Sequence, residues 1–90
     1  MSLNLKPSDL RYHYREKATH PDDVKLHGDP DMSVFDRNEV YEVIYLIEKV
    51  AQQLDFNDKA SCHRVEDIIQ ILPFRTLTQK YAFEWINQHW

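Results

Sequence analysis

The clearest pattern of apolar and polar positions runs through "DRNEVYEVIYLIEKVAQQL", residues 36–54. Val40, Val43, Ile44, Ile47, Val50, Ala51 and Leu54 recur at three- and four-residue spacing, the period of one helix face. Asp36 with Glu39 three residues on reads as a capping box, and Phe35 and Val40 occupy the positions of a hydrophobic staple. "VYEVIYLI" is β-branched and aromatic enough to suit a strand, but length and caps favour a helix of about 27 Å.

"DFNDKAS", 55–61, reads as a loop ending in a Ser61 cap. A second helix is expected over 62–72, with Val65, Ile68, Ile69 and Leu72 as its stripe. Pro73 ends it, because the residue before a proline avoids the α region. "TLTQ", 76–79, is another capping-box pattern, opening a third helix over 76–90. Its expected core face is Leu77, Tyr81, Ala82, Trp85 and Ile86, with Phe83 and Trp90 off that face.

The N-terminal third is less regular. "PSDLRYHYREKA", 7–18, starts with a Ser8 cap and reads as a short helix, although "LRYHYR" also alternates like a half-buried strand. No other segment offers that strand a partner, so a helix is preferred. The fold class expected is all-α: three main helices (36–54, 62–72, 76–90) forming a core over 36–90. Residues 1–35 are an N-terminal arm with short helical turns.

Composition supports this picture. Ninety residues make one domain, and a chain of this size buries only roughly 60–65% of its unfolded surface. A single glycine argues against hairpin and barrel folds, whose turns need positive φ. One cysteine, Cys62, excludes an internal disulfide, and no apolar run approaches a membrane span. A cytoplasmic protein with no membrane partner is the expectation.

The net charge is −4, which weighs against nonspecific binding to duplexes. The balance is uneven. Residues 32–58 carry Asp36, Glu39, Glu42, Glu48, Asp55 and Asp58 against Arg37 and Lys49. Residues 59–90 carry Lys59, Arg64, Arg75 and Lys80 against Glu66, Asp67 and Glu84.

Candidate chemistry gathers in "HPDDVKLHGDPD", residues 20–31. Its histidines and aspartates are metal-ligand types, but an EF-hand register fails: counted from Asp29, position 6 is Val34 and position 12 is Val40. The stretch reads better as a helical turn begun by Pro21, with Asp22 and Asp23 at its positive end. Gly28 then takes the left-handed position and Asp29-Pro30 makes a turn. His20 and His27 remain as the two possible ligands; no cofactor is expected.

Cys62-His63 suggests an activated thiol at a helix N-terminus. Adjacent helical residues diverge by about 100°, so His63 is badly placed to serve Cys62, and a half-buried cap cysteine is the stronger reading.

Two functional readings remain. The C-terminal "YAFEWINQHW" holds four aromatics in ten residues, more than a small bundle buries easily. Tyr41, Tyr45, Phe83, Trp85 and Trp90 are therefore the expected anchors of a protein interface, with a homodimer the favoured assembly. The expected function is a small non-catalytic interaction or regulatory module. The alternative is a DNA-binding regulator with a helix-turn-helix-like unit at 62–90. It would contact nucleic acid through Arg75, Thr76, Thr78, Gln79 and Lys80 at the start of the third helix, as the recognition helix of that unit.

Overall fold

A computed structural model describes residues 5–12, 14, 28–73 and 77–90. In chain order it holds a 3₁₀ turn (Pro7–Asp9), β1 (Val34–Phe35), α1 (Val40–Leu54), α2 (Lys59–Gln70), β2 (Leu77–Thr78) and α3 (Gln79–Gln88). Three helices and one short sheet make a mostly α bundle, as the periodicity predicts. The helix bounds moved, and each shift has a local cause.

α1 starts at Val40, four residues later than its acidic entry suggests, with Glu39 as N-cap. Asp36 closes a tight turn instead. Its carboxylate accepts the Asn38 N–H at 2.9 Å, and its carbonyl accepts the Glu39 N–H at 3.2 Å. The preceding residues are committed to β1, which pairs antiparallel with β2 in the register Val34 to Thr78 and Phe35 to Leu77. α1 ends at Asp55, which adopts the left-handed conformation at φ 57° and donates its N–H to Ala51.

α2 starts at Lys59, because Asp58 rather than Ser61 caps it. The Asp58 carboxylate accepts both the Ser61 N–H, at 2.9 Å, and the Ser61 hydroxyl, at 3.0 Å. A carboxylate also meets the positive end of the helix more favourably than a hydroxyl. At the other end, the Arg37 guanidinium donates to the carbonyls of Ile69 and Leu72 at 3.2 and 3.1 Å. It thereby adds a donor where a helix C-terminus is short of them, although the Ile69 carbonyl also accepts the Leu72 N–H at 3.3 Å.

α3 is capped by Thr78, whose hydroxyl accepts the Tyr81 N–H at 3.1 Å. Because Leu77 lies in β2, helical spacing counts from Gln79. The buried face is therefore Gln79, Ala82 and Ile86. Tyr81, expected on the core face, is exposed.

The core joins Phe35 to Val43, Leu46, Ile47 and Val50 of α1, Cys62, Val65, Ile68 and Ile69 of α2, Leu72, Leu77, and Ala82 and Ile86 of α3. α1 is the central element: α2 and α3 both pack on it, and residues 42–47 are buried in an unbroken run. That closure on several sides is why "VYEVIYLI" reads as more than a stripe.

The expected helix over 7–18 does not form in its described part. After the 3₁₀ turn, Leu10 is extended at φ −87°, ψ 148°. His13 and residues 15–18 lie outside the described residues.

Candidate functional site

Two surfaces concentrate the side chains with chemistry. The first is the outer side of α3 together with residues 31–34. The backbone sews these parts together: the Gln79 N–H donates to the Ser33 carbonyl and the Lys80 N–H to the Asp31 carbonyl, both at 2.9 Å. The Asp31 N–H reaches the Gln79 side-chain oxygen at 3.4 Å, and the Asp31 carboxylate takes the Ser33 N–H at 2.7 Å. Hydrogen bonding from the Ser33 side chain first, and then from its N–H, holds the Asp31 carboxyl below the usual range.

This stitching places Met32, Val34 and the first turn of α3 side by side. Met32 is 72% exposed, Val34 56% and Tyr81 43%. Three of the five large apolar residues most exposed among those described thus fall at one junction; the others are Tyr12 and Ile71. Beyond Tyr81 the helix carries a shallow groove of about 140 Å³ lined by Tyr81, Glu84, Trp85 and Gln88. Trp85 is half-buried, and its indole stacks on the His89 ring at a centroid distance of 3.6 Å.

The structure separates the expected aromatic anchors. Tyr45 is buried and donates its hydroxyl to the Gly28 carbonyl at 2.8 Å. Burial, with the charges of Asp31 and Asp29, pushes its phenol up to about 12. Trp90 stacks on Phe56 at 5.2 Å, with Arg64 over the ring at 4.7 Å. The C-terminal indole is thus held by α2 and the α1–α2 connection, at the edge of the core. Phe83 packs against the edge of the core, and Tyr41 is half-buried. Of the five, Trp85 is the one beside the exposed junction.

The residues proposed for nucleic acid are also divided. Lys80 is exposed, Thr78 is occupied as a cap, and Gln79 is fully buried against residues 31–33. Arg75 and Thr76 lie outside the described residues, as do His20 and His27. Among the described residues no group of three or more histidine, cysteine or acidic side chains is arranged to hold a metal. No described helix is long and apolar enough to cross a membrane.

Cys62 is buried more fully than the half-buried cap position favoured from the sequence. With α2 beginning at Lys59, the residue sits at the end of the first turn and is buried. Burial first, then the nearby carboxylates of Asp58, Glu66 and Asp9, push its thiol up rather than down.

The second surface is the outer side of α2, which carries the N-terminal strap, residues 5–12 and 14. Glu66 is fully buried. One or both of its oxygens accept the Arg11 N–H, at 3.1 and 3.0 Å, the Tyr12 N–H, at 3.2 Å, and the Tyr14 hydroxyl, at 2.8 Å. Arg11 forms an ion pair with Asp67, whose carboxylate also accepts the Tyr12 hydroxyl at 2.6 Å. One turn of helix earlier His63 meets the Asp9 carbonyl at 3.2 Å, and a further turn back Lys59 faces the Asp9 carboxylate at 3.7 Å. Leu5, Leu10 and Tyr14 pack against the core from this strap.

The sequence pattern alone left Glu66 unassigned and gave Gln79 to a nucleic-acid surface, yet a signal for their burial was there. Glu66 shares the spacing of Cys62, Val65 and Ile69, and Gln79 shares that of Ala82 and Ile86. A polar residue on an apolar stripe needs hydrogen-bond partners, and here both have them.

The sequence matches no protein-family model, and comparison with curated proteins and with solved structures finds no match to the chain.

Proposed function

We propose that the protein is a small, non-catalytic protein-interaction module that self-associates through the junction of residues 31–34 with α3. The observation that carries this reading is the grouping of Met32, Val34 and Tyr81 at one place, continued by Trp85 along the helix. Isolated exposed apolar residues are ordinary, but a contiguous patch marks a contact surface. Aromatic residues at the centre of such a patch supply much of the binding energy. A chain of ninety residues also gains from association the apolar burial that its own core cannot reach. The reading carries with it a reducing compartment, in keeping with a lone buried thiol.

Asp31 and Glu84 border the patch, with Lys80 between them in sequence and bonded to Asp31 through the backbone. That rim suits a protein surface better than a phosphate backbone. Duplex binding is the weaker reading, because Gln79 is committed to the interior.

Hydrogen exchange at low and high protein concentration tests the site. Self-association through this surface slows exchange at residues 31–34 and 80–88 as concentration rises. Protection that rises instead only on α2, or nowhere, ends the reading.

A further inference from the structure

The two sulfur side chains among the described residues stand in opposite surroundings. Cys62 is 2% exposed. Burial and nearby carboxylates push its thiol up, away from the thiolate that oxidants attack. Met32 is 72% exposed, the most open of the large apolar residues described. An oxidant that meets the folded chain therefore reaches the thioether before the thiol. The other methionine, Met1, lies outside the described residues.

The backbone is pinned on both sides of Met32. The Asp31 carbonyl accepts the Lys80 N–H and the Ser33 carbonyl the Gln79 N–H, both at 2.9 Å. The Ser33 N–H is held by the Asp31 carboxylate at 2.7 Å. The Met32 side chain belongs neither to the core nor to the residues packed against it. A chemical change at its sulfur thus alters the surface and leaves the fold standing. That surface is the junction shared with Val34 and Tyr81.

We propose that Met32 is a reversible oxidation site, at which a peroxide turns the thioether into a sulfoxide and releases the self-associated chain. The inference rests on the self-association proposed above and adds its regulation. The sulfur lone pair attacks one peroxide oxygen; the S–O bond forms, the O–O bond breaks, and the departing hydroxide takes a proton to leave as water. Sulfur gives up two electrons and the peroxide accepts them. The product is polar where the thioether was apolar. Pressed against Met32, Val34 and Tyr81 of a second copy, the new oxygen loses water without gaining a donor, which disfavours association. In a two-fold pair the same surface is used by both copies, so the cost is met twice. A thiol-dependent sulfoxide reductase reverses the change, two thiols becoming a disulfide as the oxygen leaves as water.

The test is sedimentation equilibrium of the full-length chain, untreated, after hydrogen peroxide, and after both epimer-specific methionine sulfoxide reductases with dithiothreitol. Peptide mapping follows the oxygen on residue 32, and circular dichroism follows the fold. Peroxide is expected to raise the dissociation constant at least about tenfold with the helical signal unchanged, and the reductases to restore it. Met32→Leu, compared with its own untreated constant, should not respond to peroxide. If that variant associates too weakly for the comparison, the assignment comes from the reductases, as oxygen on residue 32 and dissociation rise and fall together. Sulfoxide on Met32 in a chain that associates as before overturns this inference and leaves the self-association standing. Loss of helical signal, loss that the reductases do not reverse, or an equal response in Met32→Leu also overturns it. An untreated wild type that is monomeric at every concentration ends the self-association and this inference together.

Discussion

The Glu66 carboxylate receives the main-chain N–H of Arg11 on both oxygens, at 3.1 and 3.0 Å, across 55 positions of sequence. Replacing it by glutamine leaves shape almost unchanged but puts a donor against donors. Glu66→Gln should cost about 2–3 kcal/mol in urea denaturation, the range for hydrogen bonds to a buried charge. It should also raise amide exchange at Arg11 and Tyr12 before exchange rises in α1. A stability within about 0.5 kcal/mol of wild type, in the range of ordinary surface changes, would show that the strap contributes little.

Cys62 tests the same contact from below. The thiol is buried and its ionisation is opposed by burial and three carboxylates. Ellman's reagent at neutral pH should react with the native chain at least about a hundredfold more slowly than with the unfolded one, as expected for a group reached through opening. Glu66→Gln should speed the native reaction. Rapid reaction of the wild type would restore the activated-thiol reading.

Alkaline pH should reveal Tyr45. Its phenol is raised to about 12 by burial and by Asp31 and Asp29, against roughly 10 in an unfolded chain. Below pH ~10 it is protonated in both states and adds no pH dependence. Between these values only the unfolded chain has lost the proton, so stability falls as pH rises. Tyr45→Phe should flatten that fall in part. A residue of it should persist, because burial and the hydrogen bond to Glu66 also push the Tyr14 phenol up.

Two helix ends offer local tests of opposite sign. Arg37→Ala strips the guanidinium donor from the Ile69 and Leu72 carbonyls and should lower stability by about 1–2 kcal/mol. Asp55 occupies a left-handed position at the end of α1, where glycine is favoured. Asp55→Gly should raise stability by about 0.5–1 kcal/mol. Thermal melts of the two variants check both.

Helices were legible because their cause is local. The stripes Val43-Ile47-Val50 and Val65-Ile68-Ile69 announce themselves by spacing, and both are buried. Cap positions were harder, since Asp58 and Ser61, or Thr76 and Thr78, compete within one turn and the choice depends on what precedes them. β1 and β2 are two residues each and carry no periodic signal. Their pairing is decided by tertiary contact, and with it went the register of α3 and the position of Tyr81. The strap was misread for a related reason. "LRYHYR" looked like a strand without a partner, and the partner proved to be one carboxylate on a helix. The aromatic C-terminus was a fair signal of unusual surface, but residue type alone could not separate Trp90, held by Phe56 and Arg64, from Tyr81 in the open.

The proposed self-association through the junction of residues 31–34 with α3 is open to one direct measurement. Sedimentation equilibrium compares wild type with Val34→Ser/Tyr81→Ser and with Ile71→Ser, an exposed apolar change at the far end of α2. The wild type should rise above the monomer mass of 10.9 kDa with concentration. The double variant should weaken that rise by at least about tenfold in dissociation constant, and Ile71→Ser should leave it unchanged. A wild type that stays monomeric throughout, or a double variant that associates as well as the wild type, would contradict the claim.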